Sequence, residues 1–89
     1  MDDNLIVLAK AGDEDAFEEL YKKTWREVSP ILKSRFFESI CMDDIEDVFH
    51  DIMIKFLQNP LAVKAQTYKQ FFNWVMMCCK NRILDILES

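Results

Sequence analysis

The sequence predicts an all-α protein, a compact bundle of about four helices forming a single domain over residues 1–89. Three observations lead there. The chain holds one Gly and two Pro in 89 residues, too few turn-formers for a fold built from many short strands. Apolar residues recur at spacings of three and four through most of its length, the period of a helix with one buried face. Two capping-box patterns, Asp43-x-x-Glu46 and Thr67-x-x-Gln70, stand where two of the apolar-periodic segments begin. The composition, 51% hydrophobic and 30% charged, is that of a globular chain rather than a disordered one.

The first helix is expected from about Asp3 to Ala11, opened by Asp2 or Asp3 and stopped by Gly12. The second starts at Asp13, with Glu14 and Asp15 in its first turn, where the helix dipole favours negative charge. Its apolar stripe reads Phe17, Leu20, Tyr21, Trp25, Val28, Ile31, Leu32 and then Phe36 or Phe37. Pro30 lies within that stripe and is expected to kink or split the helix, because it lacks the N–H that the ladder needs. The third helix runs from the Asp43 box to just before Pro60. The fourth runs from the Thr67 box to about Leu87, and residues 59–66 connect the two.

Several classes fall away at this level. The cysteines, Cys41, Cys78 and Cys79, are odd in number and two are adjacent, which suits no disulfide framework and points to a reducing, cytoplasmic setting. One His is too few for a zinc site of the usual spacing, and no metal or cofactor is implied. No apolar run approaches the roughly 18–20 residues that span a bilayer, so no membrane insertion is expected. The N-terminus lacks the basic start and apolar run of a signal peptide. The net charge of −5 is unevenly spread: residues 1–51 carry 14 acidic and 6 basic residues, residues 52–89 carry 2 and 5. Two electrostatically different faces follow.

A helical wheel at 100° per residue separates the faces of the last two helices. On the third, Ile45, Val48, Phe49, Ile52 and Phe56 form the core side. Asp47, His50, Asp51 and Gln58 lie opposite, with Ile54 in their middle and Met53 and Leu57 on the flank. An acidic face with an apolar centre suits docking on a basic partner. On the fourth helix the core stripe is Tyr68, Phe72, Val75, Cys79, Ile83 and Ile86, widened by Phe71 and Cys78. Opposite stand Gln70, Asn73, Met77, Lys80 and Asn81, with Trp74 at the border. Free of carboxylates between Gln70 and Asp85, that strip suits nucleic acid, where amides meet base edges and Lys meets phosphate.

Three strings, "LAKAGDEDAFEELYKKTW", "IEDVFHDIMIKFL" and "FFNWVMMCCKNRILDIL", occur in this order over essentially the whole chain. Together they resemble region 2 of the bacterial sigma factors of the extracytoplasmic-function class. The resemblance implies a non-enzymatic transcription initiation factor. Its third helix would dock on the coiled coil of the β′ clamp of core RNA polymerase through Asp47, His50 and Asp51, with Met53, Ile54 and Leu57 as apolar contacts. The loop "NPLAVKAQTYK", with Leu61, Lys64 and Lys69, would capture a base flipped from the single-stranded non-template strand of the −10 promoter element. The fourth helix, through Asn73, Met77, Lys80 and Asn81, would meet the upstream edge of that element. An anti-sigma factor is a further partner that the resemblance admits. The family's second domain, a helix-turn-helix, is expected to be absent from residues 1–89.

Departures from the family pattern are concentrated in both proposed faces. His50 stands where the family has Gln and Asp51 where it has Glu, and Met76 and Met77 replace an aromatic and a basic residue. The alternative is therefore a free-standing interaction module, half of a two-part sigma factor or a decoy on polymerase, that keeps the clamp face without promoter reading. A metal or enzyme site built on Glu46, Asp47 and His50 would need a second such set facing inward.

Overall fold

The computed structural model describes residues 2–88, so Met1 and Ser89, the ends of the expected domain, lie outside the described residues. Among these residues four α-helices are present: α1 Asp2–Lys10, α2 Glu14–Phe36, α3 Met42–Gln58 and α4 Tyr68–Glu88. A short 3-10 turn, Pro60–Ala62, follows α3. No strand occurs among the described residues. The all-α bundle read from the periodicity is the observed fold.

Gly12 stops α1 by adopting φ +96°, a region that side chains with a Cβ avoid. The Gly12 N–H donates to the Ala9 carbonyl at 3.1 Å and the Asp13 N–H to that of Leu8 at 3.0 Å. This is the paired closure of a Schellman motif. Asp13 then caps α2, its Oδ1 accepting from the Ala16 N–H at 2.9 Å. One residue thus ends one helix and begins the next.

α2 is continuous through Pro30, neither split nor shortened. Pro30 is exposed, which leaves water to bond the carbonyl its missing N–H abandons. The buried stripe, Ala16, Leu20, Thr24, Val28, Leu32 and Phe36, steps by four throughout. Ile31 and Phe37 are accordingly outside it, 45% and 65% exposed, against the expectation for Ile31. Phe17, Tyr21 and Trp25 form a half-buried second stripe that meets α3. Phe17 stacks on Phe56 at 6.3 Å, and Tyr21 and Trp25 both pack on Phe49 at 5.0 Å.

α3 lies between α2 and α4, and all five of its expected core residues are buried. Its N-cap is Cys41 and its first turn holds Asp43 and Asp44, so Asp43 is not the capping residue that the pattern implied. Cys41 makes no side-chain bond to the helix backbone, and the two aspartates there complement the dipole instead. α4 begins as its pattern predicts, with Thr67 Oγ1 accepting from the Gln70 N–H at 3.2 Å. The Gln70 side chain reaches the Gln66 N–H, one residue further back than a reciprocal box requires. Phe71, Val75, Cys79 and Ile83 are its buried positions. Ile86 is at the exposed end of the helix, 36% exposed, and Tyr68 and Phe72 are half-buried, so the stripe is shorter and centred on Phe71. Phe71 meets Phe56 edge-on at 4.9 Å, which joins α3 to α4 at the centre of the core.

Candidate docking and nucleic-acid face

On α3, Asp47, His50 and Asp51 are exposed, Ile54 is half-buried and Leu57 is 45% exposed. Met53 is a correction. It is fully buried and cannot be a surface contact. It follows Phe49 by four residues, and packing against α2 on one side and α4 on the other widens the buried arc enough to enclose it. The apolar centre of the acidic face is therefore the half-buried Ile54 with the exposed Leu57.

His50 is held from behind. Its Nδ1 lies 3.3 Å from the Tyr21 hydroxyl, and the two rings meet edge-on with centroids 6.1 Å apart. Burial first, and the Glu46 carboxylate second, push the Tyr21 phenol above its ordinary range. The phenol therefore keeps its proton at neutral pH, and the Tyr21 hydroxyl shares a hydrogen bond with the His50 ring from its inner side. Tyr21 thus holds the His50 side chain in place, a contact the wheel gave no sign of.

Between α3 and α4 runs an open groove. One end, of about 400 Å³, is lined by Lys55, Gln58, Asn59, Val63 and Trp74. Lys55 and Gln58 continue into a second stretch of about 480 Å³ walled by Asp51, Ile54, Arg82 and Asp85. Asn81 borders it from α4. Asp51 and Ile54, expected to meet protein, and Asn81, expected to meet nucleic acid, therefore share one groove. Asn73 and Met77 lie exposed on the adjacent strip, Met77 at 52%. Lys80 is half-buried and Lys69 exposed, and both lie about 100° or more further round the helix from Asn81, away from the groove. Leu61, 81% exposed, and Lys64 stand out from the connecting loop.

Trp74 is the feature with the most chemical content. It is half-buried, its indole 6.0 Å from the Phe71 ring, which is itself wedged on Phe56. A rigidly backed indole beside an open groove is a stacking platform for a planar ring. Beside it, Gln58 and Asn59 offer amide donors and acceptors and Lys55 offers charge; Asn81 and Arg82 line the groove further along α4. Sequence reasoning placed Trp74 only at a border and passed over Lys55, although Lys55 is the one cation between Arg35 and Lys64.

Comparison with protein-family models, with curated proteins and with solved structures returns no match. The functional reading therefore rests on the residues themselves. The thiols near the groove are poor nucleophiles. Burial raises Cys78, with Lys55 partly opposing it, and burial followed by Cys78 pushes Cys79 up to about 12. Among the described residues no three His, Cys, Asp or Glu side chains converge to hold a metal. Nor is any helix there long and apolar enough to cross a membrane.

Proposed function

We propose that the chain is a transcription-initiation module of the sigma region 2 type, which docks on core RNA polymerase and receives an unstacked base of the promoter's −10 element. α3 is the docking helix, through Asp47, His50, Asp51, Ile54 and Leu57. The α3–α4 groove is the base site, with Trp74 as its stacking floor and the amides of Gln58, Asn59 and Asn81 as readers. The observation that carries this reading is the groove itself. An aromatic floor flanked by two amides and the Lys55 ammonium adjoins an acidic helix face with an apolar centre, so one partner can be held while a strand is read beside it. The uneven charge fits as well. With 14 acidic residues in its first 51, the chain gains little from phosphate attraction alone, and polymerase must supply most of those contacts.

The test is a crosslinking experiment with a single-stranded −10 oligonucleotide carrying 5-bromouracil at one position at a time. With core polymerase present, one position should crosslink to Trp74 or its groove neighbours; without polymerase, none should. Crosslinks that map to α1 or α2, or that form equally well without polymerase, contradict the proposal. Polymerase binding with no groove crosslink at any position would instead favour the docking-only module, a reading to which the exposed Met77 and its lack of positive charge also lean.

A further inference from the structure

α1 contributes no residue to the groove lining or to the acidic face of α3, yet its two ends hold the loop between α3 and α4. Near its start, Asp3 Oδ1 accepts from the Tyr68 N–H at 2.7 Å. At its end, Lys10 Nζ donates to the Ala65 carbonyl at 2.5 Å. Seven residues of helix separate Asp3 from Lys10, a rise of about 10 Å. Three residues of extended chain separate Ala65 from Tyr68, also a span of about 10 Å. The loop therefore runs antiparallel along α1 with matched spacing.

Residues 63–67 belong to no helix or strand; the Val63 N–H donates to the Pro60 carbonyl and the Thr67 carbonyl accepts from the Phe71 N–H, and groups between them need other partners. Side chains supply them: Lys10 for the Ala65 carbonyl and Gln70 for the Gln66 N–H, while Asp3 takes the Tyr68 N–H where α4 begins. Beneath these bonds Ile6 and Ala9 of α1 and Val63 and Ala65 of the loop are all buried, and α1 packs on both the 3-10 turn and α4. The alternation that results is specific. Val63 and Ala65 point inward, and Lys64 and Gln66 point outward beside the exposed Leu61. A slip of one residue would exchange these sets.

We infer that α1 is a positioning element for base readout, and that Asp3 and Lys10 act through the loop backbone to fix which side chains the unstacked base meets. This rests on the reading of the groove as a base site, to whose lining the loop contributes Val63. Neither residue would touch the base.

The experiment pairs two measurements on the full chain. Both residues lie outside the buried core, so Lys10→Met and Asp3→Ala should fold. In the free protein, amide hydrogen exchange at residues 63–68 should rise about tenfold in each variant, as expected when a hydrogen bond to a pinned segment is lost, with α2 and α3 unchanged. With core polymerase, base preference at the unstacked position should flatten while polymerase affinity stays at the wild-type value. Lys10→Arg and Asp3→Asn, which keep a donor and an acceptor, should restore both. Unchanged exchange overturns the inference. So does faster exchange with intact base preference, which would make α1 structural only. If the wild-type chain fails to bind polymerase, the base-reading proposal is what fails, and with it the functional half of this inference; the exchange data still decide whether α1 pins the loop.

Discussion

Cys79 is fully buried and its thiol is pushed up to about 12, so at neutral pH it is neither reachable nor ionised. Cys41 is exposed and Cys78 half-buried. Alkylation of the native protein at pH 7.5, followed by mass spectrometry, should label Cys41 quickly, Cys78 slowly and Cys79 only after unfolding. Asn81 and Lys80 should separate in a different assay. Asn81 borders the groove, and its replacement by Ala should relax base choice in the polymerase complex, at roughly 1–3 kcal/mol for a good contact. Lys80 turns away from the groove, and Lys80→Ala should weaken all promoters alike and lower the salt dependence by about one ion. Transcription from a panel of −10 variants over a salt series reads both. Side-chain direction was legible in the sequence at most of these positions, because 100° per residue is a property of the helix alone. Met53 and Trp74 were harder for the same reason. Their surroundings depend on how far α2 and α4 wrap around α3, and no periodicity within one helix encodes that.

Helix ends show which local signals carry enough information to be read alone. Gly12 and Asp13 were legible because each performs its role with its own backbone or side chain. Gly12→Ala should cost about 1–2 kcal/mol, the price of a left-handed conformation for a residue with a Cβ. No atom lies within 4 Å of the position a Cβ would take, so the loss is conformational rather than steric. Thermal melting of the variant checks it, and Gly12→Asn should lose less, since Asn tolerates that region better. The start of α3 was misread by two residues. Asp43 has the right chemistry for a cap, but Asp43 and Asp44 are equally good first-turn residues, and only the chain's path out of α2 decides between the roles. The bonds from Asp3 and Lys10 to the α3–α4 loop were not legible at all. They join residues 65 and 55 positions apart, and no local pattern announces them.

The bundle measures 37 Å along its long axis, close to the roughly 34 Å that the 23 residues of α2 provide, so α2 sets its length and the other helices are laid against it. This arrangement puts the acidic face of α3 and the groove it shares with α4 on one side, while α1 braces the loop at the end of that groove. The number of helices and their order could be read from the sequence. The groove could not, since it belongs to no single helix. If the side described is a docking face, the α3 carboxylates should matter to binding and not to folding. The direct measurement is equilibrium binding of the full chain to purified core RNA polymerase, with Asp51→Lys as the comparison. Asp51 is exposed and makes no ion pair among the described residues, so the variant should keep its stability within about 0.5 kcal/mol. The wild-type chain should bind, and the variant should bind at least about tenfold more weakly, since a favourable charge contact becomes a like-charge one. A wild-type chain that does not bind core polymerase, or a folded Asp51→Lys variant that binds equally well, would contradict the assignment of α3 as the docking helix.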